Sequence, residues 1–535
     1  MKRRFVPVLV LVAGLLMAFH PTILSGFARL QTDLGDTRLN NYLLEHGWRW
    51  LSGEPGVRLW HPPFFYPAPN VLAYSDLLLT FGPLYWPWRA LGLGEVASFQ
   101  LWMIGLAVAN FAVAYLFLRR AIGLDRLGAA LGSFVISFAA SRVGQLGHQQ
   151  MLAVFFVLGA LWAICSMVRT ATAGEDRGRG RLAPLAFGGC LVAQLYGSYY
   201  NLAFSLAALT LAVLAAFAVP GWRRALLAVA DLHWRAIAAA GCLAVILALP
   251  AAVHYLEAAG TLRPRPAVAA LGALPRLASY VFVDEHSWCY GWMDGLAPFR
   301  SLPVRHEHAV GLGFLTTGIL LVVAWRNRAN AAVRLAATVV LGLGLLVTMF
   351  PGGYQLWTTL YRAFPPFQGL RAVSRIGMLL SIPAGISVGW LVSHRGAGTR
   401  ARLVIAVAIL ACLEQGVTTR SVEVAAVEAH VDELAALVDR SAEAVLVVPL
   451  GPVQGGWPQH HLHAMWAARR AGVATINGYT GNRPPGWDFG DLRIPRGEGL
   501  DEVRRRLDSW AGTMGLDPAR VQILVVGGTR VQPEP

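Results

Sequence analysis

The sequence has almost no lysine. Lys2 is the only one among 45 basic residues, and charged residues make up just 14% of the 535. A soluble domain carries about 25%, so an ordinary soluble protein is excluded. Of five cysteines, Cys165, Cys190, Cys242 and Cys412 lie in apolar runs and Cys289 stands alone in a polar loop, with no C-x-x-C pair. That removes both a disulfide framework and a thiolate zinc site. The chain has no P-loop and no G-x-G-x-x-G, and no nucleophile elbow, its one G-x-S-x-G match, "GISVG" at 385–389, lying inside an apolar run. ATP-driven, dinucleotide and α/β-hydrolase chemistries lose their usual support. No fixed-period repeat is evident, and no inverted transporter repeat.

What is there is apolar. Hydrophobic residues reach 56%, and the mean hydropathy is +0.50. With a length of about 20 apolar residues per crossing, roughly eleven spans fall near 5–27, 97–118, 127–143, 149–168, 183–197, 199–219, 236–256, 309–325, 334–350, 374–393 and 402–418. The run from 182 to 219 is too long for one crossing and is split at "YGSYYN", Tyr196 to Asn201. The "KRR" start resembles a secretory signal. Its apolar run is long, however, and no small-x-small cleavage site follows, so it reads as a retained first span.

Arginine sets the orientation. With the N-terminus inside, the short inside loops are "MKRR", "RRAIGLDR", "RTATAGEDRGRGR", "GWRRALLAVADLHWR", "WRNRANAAVR" and "HRGAGTRAR", and every one is basic. The short turns on the other side, such as "GQLGHQQ", carry at most a histidine. This is the positive-inside pattern with the C-terminus outside. The net charge of +15 then belongs to such loops and to arginine sites for phosphate or anionic lipid. No separate basic arm points to nucleic acid.

The expected organisation is a transmembrane domain over 1–418, with outer loops at about 28–97, 257–308 and 351–374, and a soluble α/β domain over 419–535. In that tail "AEAVLVVPL" (Ala442 to Leu450) has a buried-strand pattern, "LDEVRRRLDSWAGTMG" (Leu500 to Gly515) is an amphipathic helix, and "VQILVVGG" (Val521 to Gly528) is a second strand.

The outer loops hold the chemistry-bearing residues. In the first, Asp33 and Asp36 stand three apart, on one face if they share a helical turn. A carboxylate at a bilayer boundary can take a proton from a hydroxyl, and it can equally cap a helix. Leu39, Tyr42, Leu43 and the stretch from Glu45 to Trp50 suggest a helix on the membrane surface. "FFYPAPN" reads as an ordered loop, because its prolines forbid regular helix. In the third loop, "FPPFQGLRAVSRIGMLL" puts Arg371 and Arg375 one turn apart. Two guanidiniums so placed suit a phosphate, or they snorkel to the interface. His148, in "SRVGQLGHQQ", reads first as a structural hydrogen-bonder. The loops bearing Asp284, Glu285, His286, Asp294, His306, Glu307 and His308 could offer ligands to a divalent metal, but their spacing matches no metal motif. "QHHLHAMW" lacks a carboxylate or cysteine beside it, so metal is not expected there.

Taken in order, "GDTRLNNYLLEH", "FFYPAPNVLAYSDLLLTFGPLYW", "SRVGQLGHQQMLA", "GSYYNLAF", "PPFQGLRAVSRIGMLL" and "TINGYTGNRPPGW" resemble a bacterial family of polytopic membrane proteins related to GT-C-fold glycosyltransferases. The resemblance covers most of the chain. It implies a mainly α, GT-C-like bundle of about eleven transmembrane helices with outer-face loops and the small C-terminal α/β domain. It also implies sugar transfer, hexosyl or pentosyl, from a polyprenyl-phosphate donor to an envelope glycan, lipid or protein at the outer face of the bacterial inner membrane.

Asp36 matches the family's acidic position best, and Asp33 is the second candidate. Arg371 and Arg375 map to donor-phosphate binding, and Glu307 to an acidic position common in relatives. Thr37 and Arg38 stand where the family usually has a small residue or proline. Arg38, Tyr66, His148, Tyr199 and Glu307 complete the candidates for substrate or pocket. No metal-ligand set is assigned; a divalent cation is left open as cofactor, and membrane lipids are expected partners. The competing classes are a transporter or flippase of lipid-linked glycans, and a non-catalytic envelope-assembly protein. Acids are nearly absent from the spans, which argues against the first.

Overall fold

The computed structural model describes residues 5–173, 180, 182–262, 266–451, 456–493 and 500–527. The basic start at 1–4 and most of the arginine-rich loop at 174–181, both used above to orient the chain, lie outside them. The chain runs through α1 (Val6–Leu24), β1 (Arg29–Gln31), α2 (Asp36–Leu51), α3 (Glu95–Leu116), α4 (Arg126–Phe138), α5 (Phe155–Ala173), α6 (Ala183–Gly197), α7 (Tyr199–Ala218), α8 (Pro220–Thr261), α9 (Phe314–Arg326), α10 (Ala331–Val347), α11 (Ser381–Ser393), α12 (Gly398–Leu413), β2 (Ser421–Glu423), α13 (Val424–Ala436), β3 (Ala444–Leu450), α14 (Gly456–Ala471), β4 (Ala474–Thr475), α15 (Asp501–Met514) and β5 (Val521–Gly527). Short helical turns lie between these elements.

Among the described residues, six helices are long and apolar enough to cross a membrane: Val6–Leu24, Glu95–Ala121, Gln149–Ala173, Tyr199–Ala218, Pro220–Thr261 and Val373–Ser393. The bent pair Ala331–Val347 and Pro351–Ala363, turned by 82°, raises this to seven. The chain is a multi-pass membrane protein of mainly α structure. The expected eleven spans are not reached by this criterion, because the helices at four expected positions, α4, α6, α9 and α12, are shorter than it requires. One loop expectation is corrected. "GWRRALLAVADLHWR" is not a loop but part of α8, a single 42-residue helix. Its residues are mostly strong helix formers, and Pro220 occupies its first turn, where a missing N–H costs nothing.

The chain forms two compact units. The first comprises Met1–His20, Met103–Ala248 and Arg265–Thr419. Its tightest packing joins α4 and α11. A Cβ on Gly389 would stand 2.7 Å from the carbonyl oxygen of Gly128, and Gly132 and Gly385 are as close to each other's backbones. Glycines four apart on both helices let the backbones touch, which is how helices associate in lipid. Polar residues in these apolar stretches close helix ends from a distance. Asn110 on α3 accepts from the N–H groups of Val154 (2.8 Å) and Phe155 (3.1 Å) at the head of α5. Glu414, after α12, accepts from those of Leu315 (3.1 Å) and Thr316 (2.6 Å) at the head of α9. Helix N-termini leave such donors unsatisfied.

The second unit comprises Pro21–Trp102, Leu249–Pro264 and Arg420–Pro535. A parallel sheet of order β4-β3-β5 carries its core. β3 is buried over six of its seven residues, as a strand covered on both faces should be. β1 pairs antiparallel with β2, Leu30 opposite Val422. The strand, helix and strand expected in the tail are β3, α15 and β5.

α2 differs from its expected place on the membrane surface. Thr37 through Gly47 are all buried. Tyr42 packs edge-on to Trp466 and Phe64, each at 5.5 Å. The polar face of α2 finds partners inside the unit: Glu45 accepts from Arg89 (2.8 Å) and Tyr85 (2.7 Å). A helix packed over eleven consecutive residues against protein is held away from the headgroup layer. The "FFYPAPN" loop is ordered along the sheet edge. Phe64 bridges Thr475, and the Tyr66 N–H donates to the Thr475 carbonyl at 3.0 Å.

Candidate functional site

In the second unit the site is the head of α2. Gly35 is its cap residue and supplies no side chain. Asp33, exposed, accepts the Gly35 N–H through Oδ1 at 2.6 Å. This is an Asx turn, so Asp33 does the local backbone work. Asp36 is the first helical residue and is half-buried. The helix dipole favours its negative charge. Its Oδ1 accepts a hydrogen bond from the Tyr479 hydroxyl at 2.8 Å. The two acids therefore do not share a helical turn, since only Asp36 lies on α2.

Arg38 turns inward, and Tyr66, partly buried, is engaged by another side chain. Arg38 is fully buried, with its guanidinium 4.4 Å over the Trp466 ring and 3.2 Å from Glu428. Burial lowers its pKa to about 10 against the pull of Glu428. The Tyr66 hydroxyl donates to Glu443 at 2.8 Å. The histidines of "QHHLHAMW" are also core residues: His460 and His461 bond to the carbonyls of Val447 (2.9 Å) and Phe489 (3.1 Å).

In the first unit a second cluster surrounds Arg375. This residue lies in a 3₁₀ segment, Val373–Leu380, and is 4% exposed. Its Nε donates to Glu307 Oε2 at 2.9 Å and its Nη2 to Oε1 at 2.5 Å, a bidentate pair. Nη2 also lies 2.9 Å from His148 Nε2, and the Tyr200 ring is 5.5 Å from the guanidinium. Burial pushes the Glu307 carboxyl up, but Arg375, with His148 and His306, outweighs it and holds the pKa at about 2.

Arg371 precedes the 3₁₀ segment and is exposed, its backbone N–H held by the Tyr200 hydroxyl at 2.9 Å. The two arginines are thus not a pair on one helical face. A 3₁₀ turn has three residues per turn, and Glu307 draws Arg375 inward. Tyr199 packs on Gly369, where a Cβ would meet its ring at 3.2 Å. Tyr200, its neighbour in "YGSYYN", is the residue that touches both arginines, and sequence reading passed over it.

His148, His306 and Glu307 each bring a ligand atom within 4.8 Å of the others. Two imidazoles and a carboxylate are zinc-type donors. Yet both Glu307 oxygens and His148 Nε2 already engage Arg375. A cation there would compete with the guanidinium for these atoms. Arg375 is the positive charge of the cluster.

No family model matches the sequence, and no curated protein does. Among solved structures, the oligosaccharyltransferase AglB of the archaeon Archaeoglobus fulgidus, in complex with an inhibitory peptide and a dolichol-phosphate, matches with a TM-score of 0.53 at 12% identity, over 96% of this chain and 69% of that one. The A. fulgidus oligosaccharyltransferase in complex with Zn and sulfate matches with a TM-score of 0.50 at 14% identity, over 88% of this chain and 62% of that one. The chain spans about two-thirds of the length of these enzymes. The likeness is one of fold: the chain has the architecture of the GT-C glycosyltransferases that its sequence resembles.

Proposed function

We propose that the chain is a membrane glycosyltransferase that moves one hexose or pentose from a polyprenyl-phosphate donor to an envelope glycan, lipid or protein, on the outer face of the bacterial inner membrane. The observation that carries the reading is Asp36, a half-buried carboxylate at a helix N-terminus that already accepts an O–H hydrogen bond. An acceptor hydroxyl must present the same contact to a general base. The GT-C fold supports the same class.

In this mechanism Asp36 takes the acceptor proton as the new bond forms at the sugar's anomeric carbon. The bond from that carbon to the donor phosphate breaks, and polyprenyl phosphate leaves with the electron pair. Arg371, exposed, and Arg375, oriented by Glu307 and His148, stabilise the phosphate charge. No step is routed through a metal.

The two arginines should separate on mutation. Arg371→Ala is expected to raise KM for the lipid donor roughly 10-fold, the loss of one charge-assisted bond, with an unchanged melting temperature. Arg375→Ala should also destabilise the protein by about 3–5 kcal/mol, because Glu307 is left as an unpaired buried charge. Chelator treatment should leave wild-type activity intact. Steady-state kinetics and thermal unfolding in detergent check all of this. The reading as a whole is tested by envelope glycan analysis of a deletion strain. A missing sugar restored by wild type and not by Asp36→Asn is expected, and restoration by both would overturn it.

A further inference from the structure

We propose that Tyr479 is a positioning residue for Asp36, an inference that rests on the proposed role of Asp36 as base. Tyr479 lies in the loop after β4, and that loop is pinned at several points. Asn477, fully buried, donates to the Val447 carbonyl at 2.9 Å and accepts the Val447 N–H at 2.8 Å. The Trp487 indole N–H donates to the Ile476 carbonyl at 2.8 Å. A Cβ on Gly478 would collide with the Phe65 ring. On the far side of the loop, the Asn482 amide donates to the Tyr74 carbonyl at 3.2 Å. The Tyr479 ring itself packs on Trp457 at 5.6 Å. Every one of these contacts fixes where the hydroxyl points, and it points at Asp36 Oδ1, 2.8 Å away.

Stability does not call for this bond. The entry to α2 is already closed by Asp33 on the Gly35 N–H, and a half-exposed carboxylate can be solvated by water. What the tyrosine adds is direction. A fixed donor on Oδ1 sets the rotation of the carboxylate. A general base must begin its cycle unprotonated and aimed. Gly35 keeps the approach open, since a Cβ there would lie 3.7 Å from the Tyr479 hydroxyl and 2.9 Å from Asp33 Oδ1.

Tyr479→Phe retains the ring packing on Trp457 and removes only the hydroxyl. It is expected to lower kcat about 10-fold, to leave KM for the lipid donor unchanged, and to move the acidic limb of the kcat/KM profile to higher pH. A purely structural tyrosine would change the melting temperature and leave the position of that limb alone. Asp36→Asn is measured in parallel. If Asp36→Asn is inactive while Tyr479→Phe keeps the wild-type kcat and pH profile, the positioning role is overturned and the base survives. If Asp36→Asn is fully active, the base assignment fails and the positioning role fails with it.

Discussion

Asp36→Asn is expected to lower kcat for sugar transfer by roughly 10²–10⁴-fold, the usual contribution of a general base, while the protein stays folded. The substitution is nearly isosteric. An asparagine oxygen can still accept the Tyr479 hydroxyl that now sits 2.8 Å from Oδ1. The negative charge at the head of α2 is lost, which costs about 0.3–1 kcal/mol against a domain stability of about 5–15 kcal/mol. A large loss of rate with a small change in melting temperature is therefore the signature. Asp33→Asn is the control. Asp33 accepts the Gly35 N–H, a task that an asparagine oxygen performs as well, so this variant should keep activity within a few-fold of wild type. Equal losses from both substitutions would assign the chemistry to neither acid alone.

Acidification should open the second unit well before the first. His46, His460 and His461 are 2–3% exposed. Burial lowers the pKa of His46 and His460 to about 4 and of His461 to about 3, against the hydrogen bonds to backbone carbonyls that raise it. A histidine with a depressed folded pKa binds protons more readily when unfolded. Its contribution is complete above the unfolded value of about 6.5 and is lost as the pH falls toward 4. At pH 5 the loss is roughly 2 kcal/mol for each histidine, or on the order of 6 kcal/mol for the three, comparable with the whole stability of a domain. Hydrogen exchange of the full-length protein in detergent, followed on peptides from α14, should show protection falling between pH 6.5 and 5 once corrected for intrinsic rates. Protection unchanged down to pH 4.5 would mean that these imidazoles are hydrated in the native state. Glu307 behaves oppositely. Held at about 2, it keeps its pairing with Arg375 through this window, and that pairing weakens only as the pH falls through the folded value.

Length and hydropathy were legible because a bilayer imposes its thickness on every crossing, and the tail strands because buried parallel strands read as unbroken apolar runs. The misreadings share a cause: the deciding partner is remote in sequence. Asn40, Asn41, Glu45 and His46 look like the wet face of an interfacial helix until Tyr85 and Arg89 supply buried partners for Glu45. Arg371 and Arg375 look like an α-helical pair until Glu307 claims one and Tyr200 holds the backbone of the other. Tyr479 gave no signal, since its meaning lies in a contact 443 residues away. One local signal was there to be used: the glycines four apart in "GAALG" and "GISVG" mark the α4–α11 contact.

The central claim is that this protein breaks a sugar–phosphate bond on a polyprenyl carrier. The direct measurement is mass-spectrometric detection of free polyprenyl phosphate from purified protein in liposomes, supplied with polyprenyl-phosphate pentose or hexose and an envelope glycan acceptor. Release of the carrier that depends on the acceptor and is abolished by Asp36→Asn is the expected result. Donor that remains intact with every sugar, or a release rate the same in wild type and Asp36→Asn, would contradict it.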